Sequence, residues 1–182
     1  KCHPNYRTLQ RSNSFKNPFK TMTYFNSAIC KRFVGMEAGI WYETIAGGSG
    51  AGPGFSGTDA VQVHMTNTRA SDVEEMEARF PVRLENWRIR PNSGGSGTWS
   101  GGDGLEKTWR FLAPATVSIL AQRRAAGAPG AVGGRPGLPG VDQVDRGAGW
   151  EPASSQFTVT TGDRLRMRTP GGGGFGDASE ED

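Results

Sequence analysis

Glycine constrains this chain more than any other residue type, supplying 28 of its 182 residues in a few dense stretches. The densest stretch runs from Gly47 to Gly57 and contains six glycines. Because glycine has no Cβ, it lets a backbone turn through positive φ and lets another chain or a ligand approach closely. Residues 94–104 and 170–176 have the same character. The pattern predicts ordered loops, and these three could meet around one surface.

Two interpretations of the 47–57 loop stay open. In the first, its backbone N–H groups line a pocket for an anionic or carbonyl-bearing intermediate, since consecutive amides can form an anion-binding nest. Gly48, Gly50 and Gly52 are then candidate substrate-binding residues. In the second interpretation, the loop is a tight connection that packs against another domain.

A polar segment follows this loop. Residues 59–65 alternate between apolar and polar side chains, which predicts a half-buried strand. His64 lies on the polar face of that strand and is a weak candidate for a catalytic proton shuttle. Asn67 and Arg69 could hold a carboxylate or phosphate, with the arginine acting as a planar fork. A hydrogen-bonded structural histidine, a turn cap and a surface arginine are the structural alternatives.

Several common enzyme motifs are missing. No Gly-Lys dipeptide occurs, so the chain has no P-loop for a nucleotide phosphate. Gly52-x-Gly54-x-x-Gly57 fits the dinucleotide pattern, but the alternating run after it does not open a helix. Two histidines, together with two cysteines that lack CxxC spacing, predict no metal site within this chain.

The remaining pattern predicts a mainly β (α+β) fold with largely antiparallel sheets and glycine-rich loops. One short helix is expected near residues 72–80, with Ser71 as its N-cap, Glu74 completing a capping box and Pro81 ending it. Residues 82–90 predict a strand with a bulge near Glu85-Asn86, because the apolar phase slips there.

Further strands are predicted at residues 109–111 and 117–120. A hairpin is predicted between residues 157 and 167, with its turn at Gly162-Asp163. Residues 125–149 are rich in proline and glycine and predict a long ordered loop. We expect Asp103 to form a turn rather than to act as a carboxylate in a pocket.

Charge divides the chain unevenly. Residues 1–40 carry seven basic side chains against one acidic, whereas the whole chain has a net charge of +3. This scattered basic charge predicts a solvated arm, so neither nucleic acid nor a membrane is expected as a partner. No secretory signal and no apolar run near 20 residues are visible, which predicts a soluble, cytoplasmic protein. Residues 178–182 form an acidic tail.

Four stretches then carry a family resemblance. They are YETIAGGSGAGPG…HMTNTR at 42–69, the RP-SGG-G-GGDG pattern at 90–104, the RR…PG…GG-PG-PG pattern at 123–140 and GD…TPGGGGFGD at 162–177. Their order resembles the C-terminal part of the hydantoinase B/5-oxoprolinase family over residues 41–177. The chain is most similar to the ATP-dependent 5-oxoprolinase branch, and residues 1–40 match poorly.

The resemblance implies an activity that the chain would share with other regions. Enzymes of this branch open 5-oxo-L-proline to L-glutamate with ATP hydrolysis: the lactam oxygen is phosphorylated, and water completes ring opening. The resemblance places ATP in a hydantoinase A-type region and a divalent metal in the N-terminal half of the B-type region, both outside this chain. The chain is therefore expected to be an incomplete portion, inactive alone, whose partners are those regions and a cyclic-amide substrate in a homo-oligomer. The alternatives are part of a hydantoinase or ketone-carboxylase subunit, or a non-catalytic interaction module.

Overall fold

The computed structural model describes residues 27–33, 40–63 and 68–177, the first of these ranges as backbone only. These ranges contain nine strands and one helix: β1 Ser27–Phe33, β2 Ile40–Ile45, α1 Val73–Arg79, β3 Val82–Arg90, β4 Gly104–Phe111, β5 Ala115–Leu120, β6 Val141–Asp145, β7 Trp150–Pro152, β8 Gln156–Val159 and β9 Arg164–Arg168.

The strands form two sheets. One has the order β2-β1-β5-β8 and the other the order β3-β4-β9-β6-β7. Every strand pair within them is antiparallel. The predicted mainly β, antiparallel architecture with one short helix is therefore confirmed.

A single apolar core joins the two sheets. Alternation along β2 and β4 places Trp41 and Trp109 on buried faces, and Trp109 has no exposed surface. The two rings meet edge to face with their centroids 6.2 Å apart, and Trp41 also stacks on Phe80 at 6.1 Å. Aromatic pairs of this geometry add to the stability that burial of their area already provides.

The helix begins one residue later than the sequence pattern predicts. Its N-cap is Asp72, whose side chain accepts a hydrogen bond from the Glu75 N–H at 2.9 Å. Ser71 is therefore not the cap, and the predicted capping box is wrong. The helix ends where Phe80 adopts an extended conformation ahead of Pro81, and it buries Met76 against the core.

The predicted bulge in β3 is confirmed, because the pairing of β3 with β4 shifts between Leu84 and Asn86. The prediction of a hairpin between residues 157 and 167 is wrong. A tight turn does form, with Asp163 accepting from the Thr160 N–H at 2.8 Å, but it carries the chain between sheets. As a result β8 pairs with β5, while β9 pairs with β4 and β6.

Three other segments differ from their predictions. Residues 59–63 form no strand and make one isolated bridge, from Val61 to Gly47. The 125–149 loop contains β6, because its end pairs with β9. Strand β1, in the weakly patterned first 40 residues, lies between β2 and β5.

Candidate functional site

The glycine-rich stretches assemble into one structure, here called the glycine bundle, made of residues 47–58, 93–104, 127–140 and 169–176. Segment 169–176 lies in the middle and forms backbone hydrogen bonds with the other three. Examples are Gly48 N–H to Pro170 O at 3.1 Å, Gly95 N–H to Gly172 O at 2.8 Å and Gly174 N–H to Arg135 O at 3.0 Å. The predicted meeting of three loops is confirmed, and segment 127–140 joins them.

The backbones in this bundle approach too closely for side chains. A Cβ on Gly172 would lie 1.8 Å from Ser49 O, and a Cβ on Gly48 would lie 1.8 Å from Gly102 O. Real Cβ atoms essentially never come within 3.0 Å of heavy atoms outside their own residue and its two chain neighbours. Glycine is thus required by backbone packing at these positions.

The candidate substrate-binding glycines lie inside the bundle. The Gly48 N–H donates to Pro170 O, and the Gly52 N–H donates to Phe55 O at 3.1 Å. These amides already have backbone acceptors, so packing accounts for Gly48 and Gly52 directly. A substrate-binding role for them and for Gly50 stays a prediction.

Of the polar candidate residues His64, Asn67 and Arg69, the structure describes Arg69. Arg69 is exposed. Its neighbours Thr68 and Ala70 line a cavity next to the start of the bundle. His64 and Asn67 lie outside the described residues.

Asp103 organises the turn that leads into segment 93–104. Its carboxylate accepts hydrogen bonds from the backbone N–H groups of Asn92, Ser93 and Gly94 at 3.0, 2.8 and 2.7 Å. Such a set of contacts fixes a loop conformation because one carboxylate accepts from three consecutive backbone N–H groups. The turn-forming role predicted for Asp103 is therefore confirmed.

A buried ion pair lies beside the bundle and was missed by the sequence reasoning. Lys107 Nζ in β4 is 2.5 Å from Glu43 Oε1 in β2, and each side chain is 3% exposed. The ammonium also lies 4.3 Å from the Trp87 ring centroid and 5.5 Å from that of Trp109. A buried charged pair thus links the two sheets.

The same pair lines a cavity of about 170 Å³. Other residues around this cavity include Ile45, Gln62, Thr68, Trp87 and Leu105. The alternation of side chains along the two strands could have indicated this ion pair. Glu43 lies in phase with Trp41 and Ile45, and Lys107 lies in phase with Leu105 and Trp109, so opposite charges occupy core-facing positions of two strands.

The opposite face of the second sheet is rich in arginine. Glu106 accepts hydrogen bonds there from Arg88 at 2.9 Å and from Arg168 at 2.6 Å. Burial alone would raise the pKa of the Glu106 carboxyl, but the hydrogen bond and charge of Arg168, helped by Arg88, outweigh it. The pKa of Glu106 therefore lies below its ordinary value.

The described residues do not fit the two groups that the resemblance implies. Among them, no cluster of three or more His, Cys, Asp or Glu side chains could hold a metal ion. For ATP, the chain lacks the P-loop lysine, and the Gly48 and Gly52 amides donate to protein carbonyls. Within the described ranges, no helix has the length and hydropathy of a membrane span.

Comparison with known proteins gives close relatives. The chain is 46% identical over 139 residues to 5-oxoprolinase 1 of Arabidopsis thaliana and 45% identical over 139 residues to a 5-oxoprolinase of Dictyostelium discoideum. Each match covers 75% of this chain and 11% of the relative, so the chain spans about a ninth of their length.

The fold also matches a solved structure. The ATP-dependent caprolactamase of Pseudomonas jessenii superposes with a TM-score of 0.67 at 22% identity, covering 85% of this chain and 30% of that one. The family model described as hydantoinase B/oxoprolinase matches residues 14–178, which extends beyond the 41–177 region of the sequence resemblance. The chain therefore belongs to the hydantoinase B/oxoprolinase family.

Proposed function

We propose that this chain is part of an ATP-dependent 5-oxoprolinase, which opens 5-oxo-L-proline to L-glutamate with ATP hydrolysis. The observation that carries the proposal is the identity of 45–46% to 5-oxoprolinases over 75% of the chain. An unactivated lactam is a poor electrophile, so coupling to ATP gives its oxygen a phosphoryl leaving group before water attacks. ATP and a divalent metal bind to other regions of the complete, cytoplasmic and homo-oligomeric enzyme.

In this proposal the glycine bundle is a rigid support. Its close backbone contacts hold segment 47–58 against segment 169–176, and Ser49 O accepts from the Gly102 N–H at 2.8 Å. A support of this kind keeps a neighbouring pocket in one geometry, as positioning of substrate requires. The proposed contacts of this chain with the substrate or its intermediate remain Gly48, Gly50, Gly52, Asn67 and Arg69.

The direct test is an assay of L-glutamate formed from 5-oxo-L-proline, with and without ATP. The complete enzyme is expected to form glutamate only with ATP, and the 182-residue chain alone is expected to form none. ATP-dependent glutamate production by the purified chain would contradict the view that it is an incomplete portion.

A single substitution separates the two interpretations of the 47–57 loop. In Gly48→Ala, the new Cβ would lie 1.8 Å from the Gly102 carbonyl oxygen, so a packing role predicts a lower Tm of the complete enzyme. A substrate-binding role predicts instead a higher KM for 5-oxoproline at unchanged Tm. If Tm, KM and kcat all stay the same, the loop has neither role.

A hydantoinase or ketone-carboxylase activity is the alternative for the complete enzyme. The caprolactamase match shows the shared fold alone and does not choose among ring substrates. A panel of 5-oxoproline, hydantoin, caprolactam and acetone, each assayed with ATP, distinguishes these activities. Turnover of hydantoin or acetone without turnover of 5-oxoproline would replace the main proposal.

A further inference from the structure

The arginine-rich face of the second sheet carries more positive than negative charge. Alternation along β9 buries Leu165 and Met167 and places three arginines on the other side of the sheet. Register places further charged side chains of β3, β4 and β6 on that side. Five arginines there face three carboxylates: Arg88, Arg110, Arg164, Arg166 and Arg168 against Glu85, Glu106 and Asp145.

Arg166, in the middle of β9, has no carboxylate partner among the described residues. Its Nη2 donates to the neutral Gln143 Oε1 at 2.7 Å, and its guanidinium lies 4.2 Å from the centroid of the Trp150 ring. Its Nε is buried and has no hydrogen-bond partner within the described part of the chain. The positive charge of Arg166 is therefore held in place by neutral groups.

The charges around Arg166 add repulsion to this arrangement. Arg164 and Arg168 flank it in β9, and the nearby carboxylates already have partners, Asp145 in Arg164 and Glu106 in Arg168. Burial, and next the positive charge of Arg168, lowers the pKa of the Arg166 guanidinium. A further carboxylate beside Arg166 would offset this repulsion.

The shape of the arginine-rich face favours a polypeptide over a small ion. The sheet is five strands wide, which is about 19 Å at the usual strand spacing. Small ligands bind in concave sites, whereas a wide face with arginine and tryptophan is typical of a protein interface. The chain spans about a ninth of the length of its 5-oxoprolinase relatives, so a complete enzyme has much more polypeptide that could cover this face.

We propose that the arginine-rich face docks an acidic segment from another region of the complete enzyme, with an Asp or Glu side chain beside Arg166. The free Nη hydrogens of Arg166 donate to that carboxylate in a charge-assisted contact. The existence of this other region rests on the proposed function. The charge excess and the unmatched Arg166 rest on the contacts described above.

Carbodiimide cross-linking of the complete enzyme tests the chemistry of the partner. The reagent joins a lysine amine to a carboxylate in contact with it, so Arg166→Lys places a reactive amine in the middle of the face. We expect mass spectrometry to find residue 166 linked to an Asp or Glu outside the 182 residues of this chain. Links to carboxylates of this chain alone, such as Glu106 or Asp145, would overturn the proposal.

Arg88→Lys is a second variant that does not depend on the buried part of Arg166. The Arg88 side chain is 64% exposed, so this variant should fold, and we expect it to link to the same outside segment. Arg79→Lys is the matched control on α1, where Arg79 is 67% exposed and pairs with Glu75 at 2.9 Å. If Arg79→Lys links to that segment as well, the contact is not specific to the arginine-rich face and the proposal is overturned.

Arginine modification by phenylglyoxal tests whether the face is covered. We expect Arg88 to react several-fold more slowly in the complete enzyme than in the isolated 182-residue chain, because the docked segment shields it. Equal rates in the two proteins would overturn the proposal. In that case, protection of Arg88 by added inorganic phosphate would identify a free anion as the ligand instead.

These tests and the glutamate assay fail independently. A complete protein with a covered face that makes no glutamate would keep the docking surface and lose the proposed 5-oxoprolinase activity. An active 5-oxoprolinase in which Arg88 stays fully reactive would lose the docking surface and keep the activity.

Discussion

Gly172 lies at the centre of the bundle and has no room for a side chain. Its added Cβ would meet backbone atoms of Ser49 and Gly50, and backbone cannot move aside as the end of a flexible side chain can. We expect Gly172→Ala to lower the free energy of unfolding of the chain by about 3 kcal/mol, at the upper end for overpacked sites. Urea unfolding followed by circular dichroism measures this loss.

Gly147→Ala is the control for that substitution. Gly147 has φ +95°, and its added Cβ would meet nothing within 4 Å. Alanine there is strained only by the left-handed backbone, at a cost of about 1 kcal/mol. Equal losses at the two positions would show that close packing does not explain Gly172.

Two substitutions at the N-terminus of α1 test which residue caps the helix. The Asp72 carboxylate satisfies the Glu75 N–H, whereas the sequence pattern favours Ser71 as the cap. We expect Asp72→Ala to destabilise the chain by about 1 kcal/mol and Ser71→Ala to have a much smaller effect. Thermal unfolding of both variants decides between the two caps, and a larger loss for Ser71→Ala would restore the sequence-based assignment.

The arginine-rich face of the second sheet gives a pH-dependent prediction. Because the pKa of Glu106 in the folded protein is lowered, its ionised form stabilises the fold at pH values above the ordinary glutamate pKa of 4.5. That stabilisation is lost as the pH falls below 4.5 through the lowered pKa. We expect Glu106→Gln to lower Tm near neutral pH and to reduce the further loss of Tm on acidification.

Glu75→Gln is the matched control, since the Glu75 side chain is 65% exposed in its pair with Arg79. Exposed pairs contribute little to stability, so this variant should keep the acid dependence of the unaltered chain. Measurements of Tm between about pH 3 and pH 7 compare the variants. If Glu106→Gln and the unaltered chain lose Tm in parallel on acidification, Arg168 and Arg88 do not stabilise the carboxylate.

At the scale of the whole molecule, the two sheets share one core and should unfold together. Trp41 comes from the first sheet and contacts Trp109 in the second, so its loss weakens the contact between them. We expect Trp41→Ala to cost about 3–5 kcal/mol and the transition to remain single. Far-UV and near-UV circular dichroism should then give the same midpoint.

Tyr42→Ala is the control for this prediction, because Tyr42 is adjacent in β2 but 59% exposed. It should change the midpoint far less than Trp41→Ala. Two separate transitions in the unaltered chain would contradict a shared core.

Features that depend on neighbouring residues were visible in the sequence. The apolar stripe before Pro81 indicates α1, and the slip of apolar phase near Glu85 indicates the bulge in β3. Dense glycine indicates backbone crowding, which the bundle confirms. Each of these signals arises from local conformational preference or from alternation within one strand.

Partners distant in the chain were decided only by the tertiary structure. The turn at Gly162-Asp163 is the same in a hairpin and in a crossing between sheets, so it cannot say which strands β8 and β9 join. Glu43 and Lys107 are separated by 64 positions, and only the packing of two sheets brings their charges together. Local chemistry thus determined α1, the bulge in β3 and the need for glycine, whereas long-range packing decided the strand pairings and brought Glu43 beside Lys107.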